Sequence, residues 1–280
     1  MIKITLPDGS VKEFANGVTP MDVAKSISEG LARNVISASF NGVTVESSTS
    51  LDVDGGLVLY TWNDKEGKKA FWHSTSHVMA QVLEEMYPGV KLTLGPAIDN
   101  GFYYDVDFSE TKISEGDFKK IEDRILEISR EKHEFKLRAV SKAEALEVYK
   151  GNEFKTELIE NLEDGTITFC DHSTFTDLCR GGHIPNTGII KAVKIMSVAG
   201  AYWRGDEKNK QLTRVYGISF PKQKDLTDYL ELLEEAKRRD HRKLGKELEL
   251  FAFSQKVGQG LPLWLPKGAA LRDRLEQFLY

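Results

Sequence analysis

The sequence has little cysteine: only Cys170 and Cys179 occur in 280 residues. Two cysteines are too few for a disulfide scaffold, so a reducing, cytoplasmic location is expected. No apolar run approaches the roughly 20 residues that a membrane-spanning helix needs, and we therefore expect no membrane partner. The first residues, MIKITLPDGS, alternate at once like a strand. This pattern predicts neither a signal peptide nor an arginine-rich transit sequence.

An excess of positive charge is also lacking. The net charge is −5 at pH 7, which argues against bulk affinity for nucleic acid but leaves room for a local basic face. A hydrophobic content of 40% and a charged content of 29% are typical of an ordinary globular chain. At 280 residues, two or more domains with their own cores are expected.

Residues 1–62 predict a small β-grasp, ubiquitin-like domain. The segment IKITLPDGSVKEF reads as a hairpin with a Pro-Asp-Gly-Ser turn, because these residues favour tight turns. Thr19 is a helix N-cap followed by Pro20 at the first helical position. Further strands follow in SASFNGVTVE, joined by Asn41 and Gly42, and in GGLVLYTW. The order of hairpin, helix and further strands is that of a β-grasp.

Residues 63–223 alternate helices and strands, which predicts a second, α+β domain. Helices are expected from Lys69 to Tyr87, from Phe118 to Lys132 and from Lys142 to Tyr149. One long linker helix is predicted over residues 224–246, and a further domain begins at residue 247. Its last helix carries Leu271, Leu275 and Phe278 and reaches Tyr280 with neither a cap nor a breaker, which indicates a chain cut off within a domain.

Two pairs of metal-binding residue types are candidates for a site. His73 and His77 are four residues apart and would share one face of a helix. The polar residues 74–76 lie beside them, which predicts that this part of the helix stays outside the core. Cys179 and His183 flank two glycines, and the glycines predict a turn that brings the pair together. Three imidazoles and a thiolate would satisfy tetrahedral zinc.

Hydrolysis without metal is the alternative for the same residues. Histidine titrates near neutral pH and can activate water, with Lys155 and Asp177 available to orient it. On their sequence context alone, Lys155 also suits a surface position and Asp177 a cap. A nucleophilic role for Cys179 is less favoured, because nothing nearby matches a Cys-His protease arrangement. The residue types leave zinc and metal-free hydrolysis open.

Six segments resemble bacterial-type threonyl-tRNA synthetases, and they occur in the order of that family. The segments are FWHSTSHVMAQVL, GPAIDNGFYYD, DLCRGGH, YWRGDEKNKQLTRVYGISF, RDHRKLGKELELF and GLPLWLPKGAALR. By this resemblance residues 1–62 are a TGS domain and residues 63–223 an editing domain of the kind shared with alanyl-tRNA synthetases. Residues 224–246 are the linker helix, and residues 247–280 begin the class II catalytic core, with Pro266 marking its motif 1.

The resemblance implies proofreading of tRNA(Thr). Serine lacks the methyl group of threonine, and one methyl discriminates by only about 1–3 kcal/mol in a binding pocket. A second site that hydrolyses seryl-tRNA(Thr) would correct the error. The full-length enzymes of this family ligate threonine to tRNA(Thr) with ATP and Mg²⁺. Their catalytic core holds one zinc ion, and they dimerise mainly through this core. We expect this chain to lack the ligation activity, to need no cofactor and to be a monomer.

Roles for individual residues also follow from the resemblance. His73 is the expected general base, Lys155 holds the water, and Asp177 binds the seryl amino group. His77, Cys179 and His183 shape the pocket. In the threonyl enzymes this site works without metal, whereas the alanyl domains hold zinc at the same positions, here His73, His77, Cys179 and His183.

The remaining candidates concern RNA. Tyr104 caps the pocket or contacts the terminal adenosine, unless it is a core residue. Trp203 and Arg204 stack on and pair with the RNA, unless the tryptophan is buried. Many relatives have proline where this chain has Gly182, which is expected to loosen the loop. The expected tRNA contacts, with a solvated helix face as the alternative, are Lys237, Arg238, Arg239, Arg242 and Lys243.

Two rival functions remain at this stage. A binding module that holds tRNA or a partner without turnover predicts tRNA affinity regardless of the histidines. A zinc-dependent hydrolase of free aminoacyl-tRNA predicts stoichiometric metal.

Overall fold

The N-terminal part is a five-stranded β-grasp, as the sequence predicts. The computed structural model describes residues 1–258 and 260–279. The elements run β1 (Ile2–Thr5), β2 (Val11–Phe14), α1 (Pro20–Ile27), α2 (Glu29–Asn34), β3 (Ser37–Phe40), β4 (Val43–Val45) and β5 (Gly55–Tyr60). The sheet order is β2-β1-β5-β3-β4. Strands β1 and β5 are parallel, and the other pairs are antiparallel.

Local signals account for most of this domain. Thr19 caps α1 in a reciprocal capping box with Asp22, which satisfies backbone N–H groups that a helix start leaves free. Asn41 and Gly42 both have positive φ, 51° and 80°, as a tight two-residue hairpin turn requires. Alternating apolar residues then form one core cluster under α1, comprising Ile2, Ile4, Val23, Ala38, Leu51 and Leu57.

The next part holds two antiparallel sheets around a long helix. Its first elements are α3 (Lys65–Met86), β6 (Lys91–Leu92), β7 (Ala97–Ile98), β8 (Gly101–Asp107), α4 (Glu115–Glu131), β9 (Lys136–Ala139), α5 (Lys142–Val148) and α6 (Glu153–Glu160). Its last are β10 (Thr168–His172), β11 (Phe175–Leu178), β12 (Ala192–Tyr202) and β13 (Gln211–Phe220). The larger sheet has the order β12-β13-β8-β6, with β7 beside β8, and the smaller one β11-β10-β9. The predicted α+β class is confirmed.

The polar face of α3 is buried, which corrects the prediction that it lies outside the core. Ser74, Thr75 and Ser76 have no exposed surface, and His77 is nearly as buried. The hydroxyl groups bond carbonyl oxygens of their own helix, so burial leaves no donor unsatisfied. They also reach other elements: Ser74 accepts from the backbone N–H of Ile184, and Ser76 donates to the carbonyl of Gly95. The hydroxyl face therefore ties α3 to the loops of the site.

The segment predicted as one linker helix contains two helices, α7 (Gln223–Arg238) and α8 (His241–Glu247). The break lies at Asp240, whose backbone is non-helical and whose side chain accepts from the N–H of Arg242. An aspartate favours this N-cap position over a helix interior. The chain ends in β14 (Phe251–Phe253), β15 (Pro262–Trp264) and α9 (Pro266–Leu279), and Tyr280 lies outside the described residues.

Two compact units result, residues 1–223 and 224–280. The predicted boundary at residues 62 and 63 falls between β5 and α3 inside the first unit, and the finer domain limits remain predictions. Within the described part of the chain, no helix is both long and apolar enough to cross a bilayer.

Candidate active site

Four potential ligand atoms from α3 and the segment after β11 lie close together. His73 Nε2 lies 3.0 Å from His77 Nε2. The Sγ of Cys179 lies 3.4 Å from His73 Nε2 and 3.3 Å from His183 Nε2. All four donor atoms fall within 4.8 Å of one another. The two sequence pairs therefore form one cluster.

A turn over residues 179–183 brings Cys179 and His183 together. Gly181 and Gly182 have φ angles of 97° and 88°, a left-handed conformation that L side chains rarely adopt. The loop is bonded to the β-grasp at Gly182, whose N–H donates to a carboxylate oxygen of Glu46 at 2.9 Å. The two glycines thus bring Cys179 and His183 together as predicted, and the expected loosening of the loop at Gly182 stays a prediction.

Asp177 is the centre of a buried polar network beside the cluster. Its Oδ1 accepts from the Lys155 ammonium at 2.5 Å. Its Oδ2 lies 2.9 Å from His77 Nδ1 and accepts from the Tyr104 hydroxyl at 2.6 Å. Lys155 is 1% exposed and Asp177 2%, so the surface lysine and the cap that sequence context also suited are both excluded. Asp177 instead lies in β11 and joins α6, α3 and β8.

Opposite charges stabilise one another throughout this network. Burial would raise the pKa of Asp177, but Lys155 and His77 hold it far below its usual value. Burial would lower the pKa of His77, but Cys179 and Asp177 together raise it. For His73, burial is the strongest effect and the pKa is lowered. The pKa of His77 is thus raised and that of His73 lowered, so His73 is the one of the two that more readily stays a neutral imidazole.

The Cys179 and His183 pair carries charge as well. Burial would raise the pKa of Cys179, but the histidines around it, His77 first, hold it well below its usual value. Burial would lower the pKa of His183, but its hydrogen bonds with Cys170, Cys179 and Glu46 hold it well above the usual value. A thiolate beside an imidazolium follows.

A cavity of about 330 Å³ opens onto this cluster. Gly95 lets Tyr104 approach, because a Cβ on residue 95 would lie 2.2 Å from the tyrosine ring. Tyr104 thus forms part of the cavity wall while it is fully packed. The lining residues comprise His73, His77, Leu94, Gly95, Pro96, Tyr104, Lys155, Leu158, Leu162, Thr166, Thr168, Asp177, Leu178, Cys179 and Arg180.

Other predicted RNA contacts lie apart from the cavity wall. Trp203 is buried against Phe154 and donates to Glu157, so the buried position that the sequence favoured for this tryptophan is confirmed, and its stacking on RNA is excluded. Arg204 is exposed and pairs with the same glutamate at 2.8 Å, and it does not line the cavity. A role for Arg204 in binding substrate remains a prediction.

The five predicted tRNA contacts are in the second compact unit and are exposed. Each of the five basic side chains pairs with a nearby acidic side chain. The acids are Glu234 and Glu235 on α7, Asp240 at the break between α7 and α8, and Glu247 on α8. Lys243 has the weakest partner, with its Nζ 4.0 Å from Glu247. Exposed pairs of this kind contribute little to stability, and contact of these five residues with tRNA stays a prediction.

Sequence reasoning missed two residues that hold His183. Phe135 stacks on its ring, with centroids 5.3 Å apart and planes 7° from parallel. Glu46 accepts from its Nδ1 at 2.9 Å, 137 positions away along the chain. No local pattern marks either residue, because both contacts depend on tertiary packing.

The donor cluster also fits zinc in kind and in spacing. Tetrahedral zinc with nitrogen and sulfur ligands holds its donor atoms about 3.3–3.6 Å apart. Three donor separations here are 3.0, 3.4 and 3.3 Å, and all four donors lie within 4.8 Å of one another, so the side chains would have to shift somewhat to surround an ion. His73, His77, Cys179 and His183 would hold the ion, and zinc would then make a bound water more acidic.

Comparison with known proteins finds two domain families and several similar ligases. Residues 2–59 match the TGS domain. Residues 167–216 match the family described as Threonyl and Alanyl tRNA synthetase second additional domain. The chain is 90% identical over 279 residues to a threonine–tRNA ligase of Flavobacterium psychrophilum, covering 100% of this chain and 43% of that relative. For the corresponding ligase of Cytophaga hutchinsonii, identity is 60% over 281 residues, covering 100% and 44%.

The match leaves the larger part of each relative outside the comparison, since the chain spans about 43% of the length of the curated relatives it matches. The alignment covers the whole of this chain. The two matched domain families fall in the β-grasp and in the larger α+β part of the structure. The chain therefore carries a TGS domain and the second additional domain of threonyl and alanyl tRNA synthetases, and over its whole length it matches the N-terminal region of threonine–tRNA ligases.

Proposed function

We propose that this chain hydrolyses the ester of seryl-tRNA(Thr) and so proofreads the product of threonine–tRNA ligation. The observation that carries the proposal is the hydrogen-bonded series from Asp177 through His77 to His73 at the wall of the 330 Å³ cavity. This series has the composition of a general-base site, in which a carboxylate orients one imidazole and that imidazole contacts another. The likeness to threonine–tRNA ligases supports the substrate.

His73 is the proton acceptor in this proposal. It is half-buried and lines the cavity, and its lowered pKa favours the neutral form that can take up a proton. Nε2 of His73 lies against His77 Nε2 and the Cys179 sulfur, so Nδ1 is the atom that accepts the proton of the attacking water, either directly or through the terminal ribose hydroxyl. The protonated His73 then returns a proton to the leaving ribose oxygen, while His77, held by Asp177, orients its ring.

Lys155 and Asp177 provide the charges for the substrate. The Lys155 ammonium lies on the cavity wall and stabilises the negative charge of the tetrahedral intermediate. An ionised carboxylate offers about four lone-pair sites, and Asp177 uses three of them for Lys155, His77 and Tyr104. The fourth accepts from the seryl ammonium group.

The remaining donors shape the pocket. Cys179 and His183 fix the turn beside His73, and Tyr104 packs against Gly95 in the cavity wall. Arg204 stays a candidate contact to the RNA outside the cavity. The pocket accepts the seryl group and excludes the larger threonyl group, which needs a steric barrier because binding of one methyl discriminates weakly.

Deacylation with and without chelator tests the reaction and the metal together. We expect purified chain to release serine from seryl-tRNA(Thr) faster than threonine from threonyl-tRNA(Thr). We expect far less than one zinc per chain by elemental analysis and an unchanged rate after chelation, because the ion pairs described above already neutralise the donors. Equal loss of zinc and activity on chelation would instead establish the zinc-dependent hydrolase, which the donor spacing favours as the second candidate.

Binding of tRNA is the other testable part. We expect Lys237→Ala combined with Lys243→Ala to weaken tRNA(Thr) binding and to reduce the slope of log K against log salt by about 0.7–0.9 for each lost phosphate contact. The measurement is a fluorescence titration at several salt concentrations. Lys3→Ala with Lys25→Ala, two exposed lysines of the β-grasp, is the charge-matched control. An unchanged slope in the Lys237 and Lys243 variant would identify this run as a solvated helix face.

A further inference from the structure

Glu46 belongs to the β-grasp yet lies against the catalytic cluster. It directly follows β4, and its carbonyl accepts from the N–H of Thr49 at 3.0 Å in a tight turn. Its side chain is 10% exposed and points out of the β-grasp toward the loop over residues 180–183. A buried carboxylate is costly unless donors surround it, so the contacts that Glu46 makes explain its position.

Three donors from that loop meet the Glu46 carboxylate. Oε1 accepts from the N–H of Gly182 at 2.9 Å and lies 2.9 Å from His183 Nδ1. Oε2 accepts from the N–H of His183 at 3.1 Å. Hydrogen bonds to an ionised acceptor are about twice as strong as neutral ones. One side chain of the β-grasp thus fixes two successive backbone groups and one imidazole.

The imidazole of His183 is held on every side that the structure describes. Glu46 takes the hydrogen of Nδ1, which leaves Nε2 to face the Cys179 sulfur at 3.3 Å. Phe135 and His73 both stack on the ring, with centroid distances of 5.3 and 4.9 Å. By fixing the orientation of the His183 ring, Glu46 therefore also fixes the contacts of this ring with Cys179 and His73.

We propose that Glu46 is a positioning residue for the hydrolytic site and that the β-grasp domain, through this side chain, completes the site of the neighbouring α+β part. The proposal rests on the proposed function, because the site that Glu46 positions is the one assigned to deacylation. Glu46 touches no reacting atom; it acts by holding His183 and the loop against His73 and Cys179. The site would then depend on the presence of the β-grasp, although none of the catalytic groups comes from it.

The test is a set of three variants of the whole chain. Glu46→Ala removes all three hydrogen bonds that the carboxylate accepts. We expect kcat for seryl-tRNA(Thr) to fall by about 10²-fold with KM little changed, because a displacement of about 1 Å at a catalytic site lowers the rate by that factor. Glu46→Gln keeps one oxygen for Gly182 and His183 Nδ1 but turns an amide group toward the third donor, so we expect a smaller fall of about 10-fold. Glu13→Ala removes an exposed carboxylate of the same domain, and no change is expected.

Amide hydrogen exchange supplies a readout that does not depend on activity. In the unmodified chain the N–H groups of Gly182 and His183 should be protected, and in Glu46→Ala both should exchange faster while the amides of β1 and β5 stay protected. An unchanged kcat in folded Glu46→Ala would overturn the proposal. It would also be overturned if the alanine and glutamine variants lost the same activity and this loss matched the fraction of unfolded protein in each preparation. If the unmodified chain shows no deacylation, the proposed function fails, and the exchange of these two amides alone decides whether Glu46 holds the loop.

Discussion

Replacing His73 by alanine is expected to lower the rate of seryl-tRNA(Thr) deacylation by about 10²–10⁴-fold, the usual contribution of a general base. His73 is half-buried at the cavity wall, and its truncation leaves the core of α3 in place. The free energy of unfolding should fall by only about 1–2 kcal/mol, because His77 Nε2 and the Cys179 sulfur lose one partner while the packing of the helix is kept. Single-turnover deacylation and urea unfolding on the same preparation measure the two quantities.

His77→Ala is the matched comparison, because His77 lies one helical turn away on the same face. It should cost less in rate than His73→Ala but more in stability, since it is buried and bonded to Asp177. A structural role for His73 predicts the reverse pattern, with a large loss of stability and a proportionate loss of rate. Full activity in a stable His73→Ala variant would contradict the assignment and would point to Lys155 or to the ribose hydroxyl of the substrate.

The second large effect is expected at Asp177. Asp177→Ala leaves the Lys155 ammonium and the His77 imidazole buried without their anion. Breaking a buried ion pair by removing one partner costs about 3–5 kcal/mol, and we expect a loss of that size in the free energy of unfolding. Urea titration followed by circular dichroism measures it at neutral pH, where the carboxylate is ionised.

A double variant separates the loss of the pair from the loss of packing. Asp177→Ala combined with Lys155→Met removes both charges and keeps an apolar side chain of similar length beneath Tyr104 and Tyr149. Because the unpaired ammonium is gone, the double variant should be more stable than Asp177→Ala alone. Additive effects of the two single substitutions would show that the 2.5 Å contact carries no coupling and would contradict the network described here.

The hydrolytic cluster was partly predictable from spacing. His73 and His77 had to share a helix face, and the glycines between Cys179 and His183 had to form a turn; both are properties of a few consecutive residues. The contact of the two pairs was a hypothesis that only folding could test. Lys155 and Asp177 came from the family resemblance, and nothing local separated a buried ion pair from a surface lysine and a cap.

Sequence by itself determined the features whose physics is local. The capping box at Thr19, the turn at Asn41 and Gly42, and the histidine spacing on α3 each depend on backbone preferences and contacts within about four residues. The break at Asp240 was local as well, and it was missed because the basic run was read as one continuous helix.

Tertiary structure alone decided what is buried and what meets across the chain. The composition of the hydroxyl face of α3 suggested exposure to solvent. The face is buried because loops pack against it, and burial is tolerated because its hydroxyl groups bond carbonyls of the helix and groups of those loops. Trp203 lies in a core cluster rather than on an RNA surface for the same reason: burial depends on what packs against a residue. Glu46 and His183 are 137 positions apart, and a carboxylate finds three buried donors at that separation only once the β-grasp is packed against the loop.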